Sequence, residues 1–117
     1  SSIAGVKGLK GAVPYTVSKH GVIGLVRGLS EEYMKSNVTF NAICPGYVDT
    51  DIVRDQLPSV MRRFDTDEAG AITVMASGNR HKRLLDTAEI TAAAMWLASD
   101  AARSVNGQTI EISGGQT

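Results

Sequence analysis

The chain has 117 residues, 43% hydrophobic, 21% charged and 5% aromatic, with twelve Lys and Arg against twelve Asp and Glu. That balance belongs to a globular chain of one domain and excludes an intrinsically disordered one. Zero net charge leaves no electrostatic footprint for nucleic acid, and no run reaches the roughly 18 apolar residues of a membrane span. Cys44 is the sole cysteine, so neither an intrachain disulfide nor a cysteine-based zinc site is available. With no signal-peptide pattern at its start, the expectation is a cytoplasmic protein with no nucleic-acid, membrane or metal partner. Chemistry must come from motifs.

Residues 1–13 read as loop, with Gly5, Gly8 and Gly11 three apart. From Pro14 to about Lys35 the spacing predicts a helix, with Val22, Val26, Leu29 and Tyr33 on one stripe and Pro14 in the first turn. Gly21, Gly24 and Gly28 each weaken that helix by up to about 1 kcal/mol relative to Ala. Their spacing on one face is expected to admit another backbone, from a sheet or a partner helix. Ser36-Asn37 breaks the pattern.

Val38 to Cys44 reads as a short strand, stopped by Pro45-Gly46. Residues 51–85 mix charge with weak helical periodicity and predict a solvated helical excursion. Asp86 or Thr87 is the candidate N-cap of a further helix, with Glu89 behind it. Ile90, Ala94 and Leu97 would form its buried stripe, and it would end near Ser99-Asp100. Gln108 to Ile112 is a last strand, closed by Gly114-Gly115.

Strands separated by helices predict an α/β fold with a parallel sheet and right-handed crossovers. Two strands make a poor sheet, because both faces of a parallel sheet must be covered. The pattern is that of half an α/β domain, its other strands expected N-terminal to Ser1.

The sharpest chemical feature is Tyr15-Thr-Val-Ser-Lys19. On a helix, i and i+4 share a face, so a phenol and an ammonium can meet. An ordinary tyrosine ionises near pH 10 and is a poor acid–base catalyst at neutral pH. A cation about 4 Å away stabilises a phenolate by about 4 kcal/mol at an effective dielectric near 20. Alone, this pair is no more than a common surface motif.

Its company changes that. Ser2 lies thirteen residues before Tyr15 in Ser-Ser-Ile-Ala-Gly, and Asn41-Ala-Ile-Cys-Pro-Gly46 is followed by Val48 and Thr50. The chain closes on Asn106-Gly-Gln-Thr-Ile-Glu-Ile-Ser-Gly-Gly115. Together and in this order, these residues resemble the C-terminal half of the short-chain dehydrogenase/reductase family, over essentially the whole chain except 51–85.

The resemblance implies residues 1–117 to be the C-terminal part of a doubly wound parallel-sheet Rossmann domain, its N-terminal dinucleotide-binding half absent from this chain. Residues 51–85 would be its substrate loop or lid. It implies NAD or NADP as cofactor and a hydride transfer between nicotinamide and a secondary alcohol or ketone. Tyr15 matches the general acid–base, Lys19 the residue that tunes it and holds the nicotinamide ribose, and Ser2 the hydroxyl that polarises the substrate oxygen. Pro45 and Gly46 match the turn beneath the nicotinamide, and Val48 and Thr50 the contacts to the carboxamide and a phosphate. Homodimers or homotetramers through the glycine-bearing helix are implied as well.

Neither the family's glycine-rich turn nor its choice between NAD and NADP lies in this chain. Ser113 stands where many relatives have Asp. A non-catalytic dinucleotide-binding member, a sensor or regulator, is the alternative function, and the intact Ser2, Tyr15 and Lys19 favour the enzyme.

Other candidates have plainer expectations. His20 is turned about 100° from Tyr15 and is expected to be structural or interfacial. His81, within Asn79-Arg-His-Lys-Arg83, is expected on a solvated or anion-facing loop, and Cys44 as a small buried hydrophobe. Met95 and Trp96 are expected in core or subunit packing. In 51–85, Met61, Phe64, Ile72, Val74 and Met75 beside Arg54, Arg62 and Arg63 predict an apolar pocket with a basic rim. Such a pocket would suit a 3-hydroxyacyl or 3-hydroxy-acid substrate.

Overall fold

The computed structural model describes residues 1–117. A 3-10 turn at Ile3–Gly5 leads to α1, Val13–Glu32, then β1, Ala42–Pro45. Two helices follow, α2 at Asp51–Phe64 and α3 at Glu68–Ala76; α4, Thr87–Leu97, and β2, Thr109–Ile112, complete the order. β1 and β2 pair in parallel, Ala42 opposite Thr109 and Pro45 opposite Ile112. The fold is α/β with a parallel sheet, as the pattern predicts.

The first strand is shorter than its sequence predicts. Val38 to Asn41 lie outside it because asparagine side chains replace the backbone ladder there. Asn106 Oδ1 accepts from Phe40 N–H at 2.8 Å, and Asn41 bonds both Val105 C=O and Gln108 N–H. Among the helices, α1 ends at Glu32 rather than Lys35, capped by Tyr33. Asp86 caps α4, with Glu89 returning to its N–H in a full capping box. That helix stops at Leu97, where Ala98 and Ser99 turn it off.

Two predicted stripes are displaced. On α1 the buried side chains are Ile23 and Ser30; of the expected stripe, Val26 and Leu29 are half-buried, Val26 against the Ile23 cluster, while Val22 and Tyr33 are exposed. On α4 no residue is buried, so Ile90, Ala94 and Leu97 are no core stripe. Both helices have their outward apolar side chains facing solvent. Gly21, Gly24 and Gly28 likewise meet open space rather than the chain's own sheet.

The core is in two pieces. Ile23, Ala42 and Cys44 join α1 to the sheet; Val53, Leu57, Ala71 and Met75 join α2 to α3. Burial pushes the Cys44 thiol up from its ordinary value, consistent with packing rather than reactivity. No helix is long and apolar enough to cross a membrane.

Candidate active site

The site gathers where the opening loop, α1 and the turn after β1 meet. Ser1 pins the loop: its backbone nitrogen donates to Ile43 C=O at 3.0 Å and its hydroxyl to Lys19 C=O at 3.1 Å. Ser2 caps the 3-10 turn, its hydroxyl oxygen accepting from Ala4 N–H at 3.1 Å. The Ser2 O–H hydrogen stays free to donate.

Tyr15 sits in the first turn of α1, made rigid by Pro14 at its start. It is 46% exposed, toward a cleft. Lys19, one turn on, places its ammonium 5.2 Å from the centre of the Tyr15 ring. The two share a face, and Lys19 lies over the ring without lining the cavities that open on Tyr15.

Two neighbouring cavities open on Tyr15. One, of about 210 Å³, is lined by Ser1, Ser2, Tyr15, Pro45, Gly46, Val48, Thr50, Ile52 and Val53. The other, of about 270 Å³, has Ser2, Ile3, Leu9, Tyr15, Gly46, Tyr47, Ile52, Val53 and Gln56 on its walls. All six of Ser2, Tyr15, Pro45, Gly46, Val48 and Thr50 therefore come together around one cavity. Leu9, Tyr47 and Gln56 join them without having announced themselves in the sequence.

The turn after β1 has a defined hydrogen-bond pattern. Leu85 N–H donates to Tyr47 C=O and Asp49 N–H to Leu85 C=O, both at 2.9 Å. In this parallel bridge, Val48's own N–H and C=O turn away from Leu85. The N–H has no protein partner, and the C=O receives only the Thr50 hydroxyl at 3.4 Å. A donor and an acceptor thus stand side by side on a residue of the cleft wall. Thr50 also caps α2, accepting from Val53 N–H.

The expected basic rim is absent from these cavities. Arg54 is held by Asp49 in a two-pronged pair at 2.7 and 2.8 Å, which keeps the Asp49 carboxyl below its usual range. Arg62 and Arg63 close the last turn of α2, where Arg63 covers the Phe64 ring and borders a separate cavity between α2 and α3, lined also by Phe64, Val74 and Met75, which are three of the apolar residues expected of that pocket. His20 is exposed, its ring bonded to Thr16 C=O. His81 packs against Gly114, whose added Cβ would lie 2.4 Å from the ring. No group of three His, Cys, Asp or Glu is placed to hold a metal ion.

These features define a member of the short-chain dehydrogenase/reductase family, and the chain belongs to it. The family model described as "Enoyl-(Acyl carrier protein) reductase" matches residues 1–117. Two relatives come from Rhizobium meliloti (strain 1021). An acetoacetyl-CoA reductase is 37% identical over 99% of this chain and 44% of its own length. A D-beta-hydroxybutyrate dehydrogenase is 36% identical over 88% of this chain and 40% of its own. The crystal structure of an F189W actinorhodin polyketide ketoreductase with NADPH superposes with a TM-score of 0.89 at 27% identity, over 98% of this chain and 44% of that one. The chain spans less than half the length of these relatives, as a C-terminal part of their Rossmann fold would.

Proposed function

We propose that this chain is the catalytic C-terminal half of an NAD- or NADP-dependent oxidoreductase that interconverts a secondary alcohol and a ketone. The observation that carries this is the meeting of Ser2 and Tyr15 on a cavity walled by the Pro45–Thr50 turn. Val48's unpaired N–H and its C=O, which receives only the Thr50 hydroxyl at 3.4 Å, match a primary carboxamide, which offers one acceptor and one donor side by side. Pro45 and Gly46 form the wall beneath the ring, and Thr50 the contact toward a phosphate. A nicotinamide bound there gives or takes the hydride.

The chain's own residues handle the proton. In the reducing direction Tyr15 gives its hydroxyl proton to the carbonyl oxygen as negative charge develops on it, and in the oxidising direction takes it back. Ser2 donates a hydrogen bond to the same oxygen, its own oxygen being held by Ala4 N–H. Lys19 keeps a positive charge against the Tyr15 ring and reaches the nicotinamide ribose. Residues 51–85, which form α2 and α3, cover the substrate as a lid. The named relatives support a 3-hydroxyacyl or 3-hydroxy-acid substrate. Retention of Ser2, Tyr15 and Lys19 favours this over a non-catalytic dinucleotide sensor. A cytoplasmic homodimer or homotetramer, packed through the exposed apolar faces of α1 and α4, completes the reading.

The test uses this chain joined to an N-terminal half of the kind its relatives carry, called the full-length enzyme below. Tyr15→Phe is expected to lower kcat by about 10²–10⁴-fold, the contribution of a positioned acid–base, with cofactor affinity unchanged. Oxidation of reduced cofactor by a 3-oxoacyl substrate measures the first and nicotinamide fluorescence the second. Undiminished turnover would remove Tyr15 from the mechanism.

A further inference from the structure

Asn79 is fully buried between the end of α3 and the turn that follows β1. Its backbone is held on two sides. Asn79 N–H donates to Ala76 C=O at 3.0 Å, continuing from α3, and Arg80 N–H donates to Ser113 C=O at 2.8 Å, just past β2. From that fixed place the side-chain amide meets Tyr47 along its backbone. Oδ1 accepts from Tyr47 N–H at 2.9 Å, while Nδ2 donates to Tyr47 C=O and to Arg83 C=O, each at 2.8 Å.

The contact is tight in both directions. A Cβ built on Gly46 would lie 2.1 Å from Asn79 Oδ1, so glycine is what lets the amide reach the turn. Conversely, a Cβ on Gly78 would lie 2.3 Å from the Tyr47 ring. The Tyr47 ring itself borders both the Ser2–Tyr15 cavity and the cavity between α2 and α3. Side chain from one segment, and ring from the other, interlock across the same seam.

We infer that Asn79 is a positioning residue that locks the Gly46–Tyr47 turn to the end of α3, so that the floor of the nicotinamide end and the substrate-side lid move as one body. The assignment of that turn to the nicotinamide rests on the proposed function. Without the amide, Tyr47 N–H loses its only bond, Arg83 C=O loses a donor, and Tyr47 C=O is left with Leu85 N–H alone. The turn then drifts away from the position in which Val48 faces its ligand.

The experiment measures affinity for reduced cofactor by nicotinamide fluorescence in the full-length enzyme. Asn79→Ala is expected to weaken it about tenfold, the scale of one buried hydrogen-bonding group left unpaired. Asn106→Ala, which removes the amide that holds Phe40 N–H before the start of β1, at the opposite end of that strand from the turn, is expected to leave it unchanged although it melts earlier. Gly46→Ala, whose methyl must expel the amide, is expected to match Asn79→Ala, and the double variant to be no worse than about twofold below either. Parent-like affinity in Asn79→Ala would overturn the inference, as would full additivity of the two substitutions. If Asn79→Ala does not fold, parent-like affinity in Gly46→Ala decides against it. A parent enzyme without affinity for the cofactor would overturn the proposed function and this inference together.

Discussion

The α2–α3 insertion and the sheet with its helices are built on different terms. The insertion closes on itself: Val53, Leu57, Ala71 and Met75 bury one another across the two helices, and side-chain caps at Thr50 and Asp67 secure both starts. On the sheet side, the core cluster is Ile23, Ala42 and Cys44 with Val6 and Val26 packed against it, and no residue of α4 is buried. Met95 stays 67% exposed and Trp96 43%. The radius of gyration is 16.1 Å, against about 13 Å for a compact domain of this size. Local structure is thus complete where the substrate is expected, whereas the scaffold beneath the chemistry leaves apolar faces for other protein to cover.

Substitutions should separate the two regions. Leu57→Ala removes a buried side chain from the self-contained α2–α3 insertion and is expected to cost about 2–5 kcal/mol, read as a lower Tm of the full-length enzyme. A cost near zero would mean that the core between α2 and α3 contributes nothing. Asp86→Ala, on the sheet side, removes one cap and is expected to cost about 1 kcal/mol, visible as faster amide exchange in the first turn of α4.

Glu89 gives the smallest effect, and one with a pH signature. The Arg83 guanidinium at 2.8 Å, and then Asp86 N–H, hold its carboxyl down at about 2 from an ordinary 4.5. A depressed carboxylate stabilises the fold above its ordinary value, and that contribution fades as pH falls through about 2. Glu89→Gln should therefore melt below the parent at neutral pH, the gap closing between 4.5 and 2. An equal gap across that range would assign the loss to packing.

The local signals of the sequence carry through to the structure. Pro14 before Tyr15 and Lys19 marks the start of α1, and Asp86 with Glu89 marks that of α4, because capping is written in adjacent residues. Pro45-Gly46 likewise ends β1 where it reads. Tertiary choices are less visible. The displaced α1 stripe depends on which face the sheet happens to meet, and Val38–Asn41 leave the ladder only because Asn106, far along the chain, competes for it. Asn79 illustrates the limit. Within Asn79-Arg-His-Lys-Arg83 it looks like part of a solvated basic loop, and only the fold shows its amide to be the buried member. Arg54 fails as a rim residue for a similar reason, since Asp49 captures it at short range.

The central claim is that these residues form the proton-transfer side of a nicotinamide site whose pyrophosphate side is built from other residues. No glycine-rich strand–turn–helix, with backbone N–H groups at a helix N-terminus to cradle a pyrophosphate, occurs in the 117 residues. A fluorescence titration with reduced dinucleotide, run in parallel on the 117-residue chain and on the full-length enzyme, tests this directly. Saturation is expected at about micromolar concentration for the full-length enzyme only, the scale of about 8 kcal/mol of binding that the pyrophosphate contacts must help supply. Equal saturation by the 117-residue chain alone would contradict the claim.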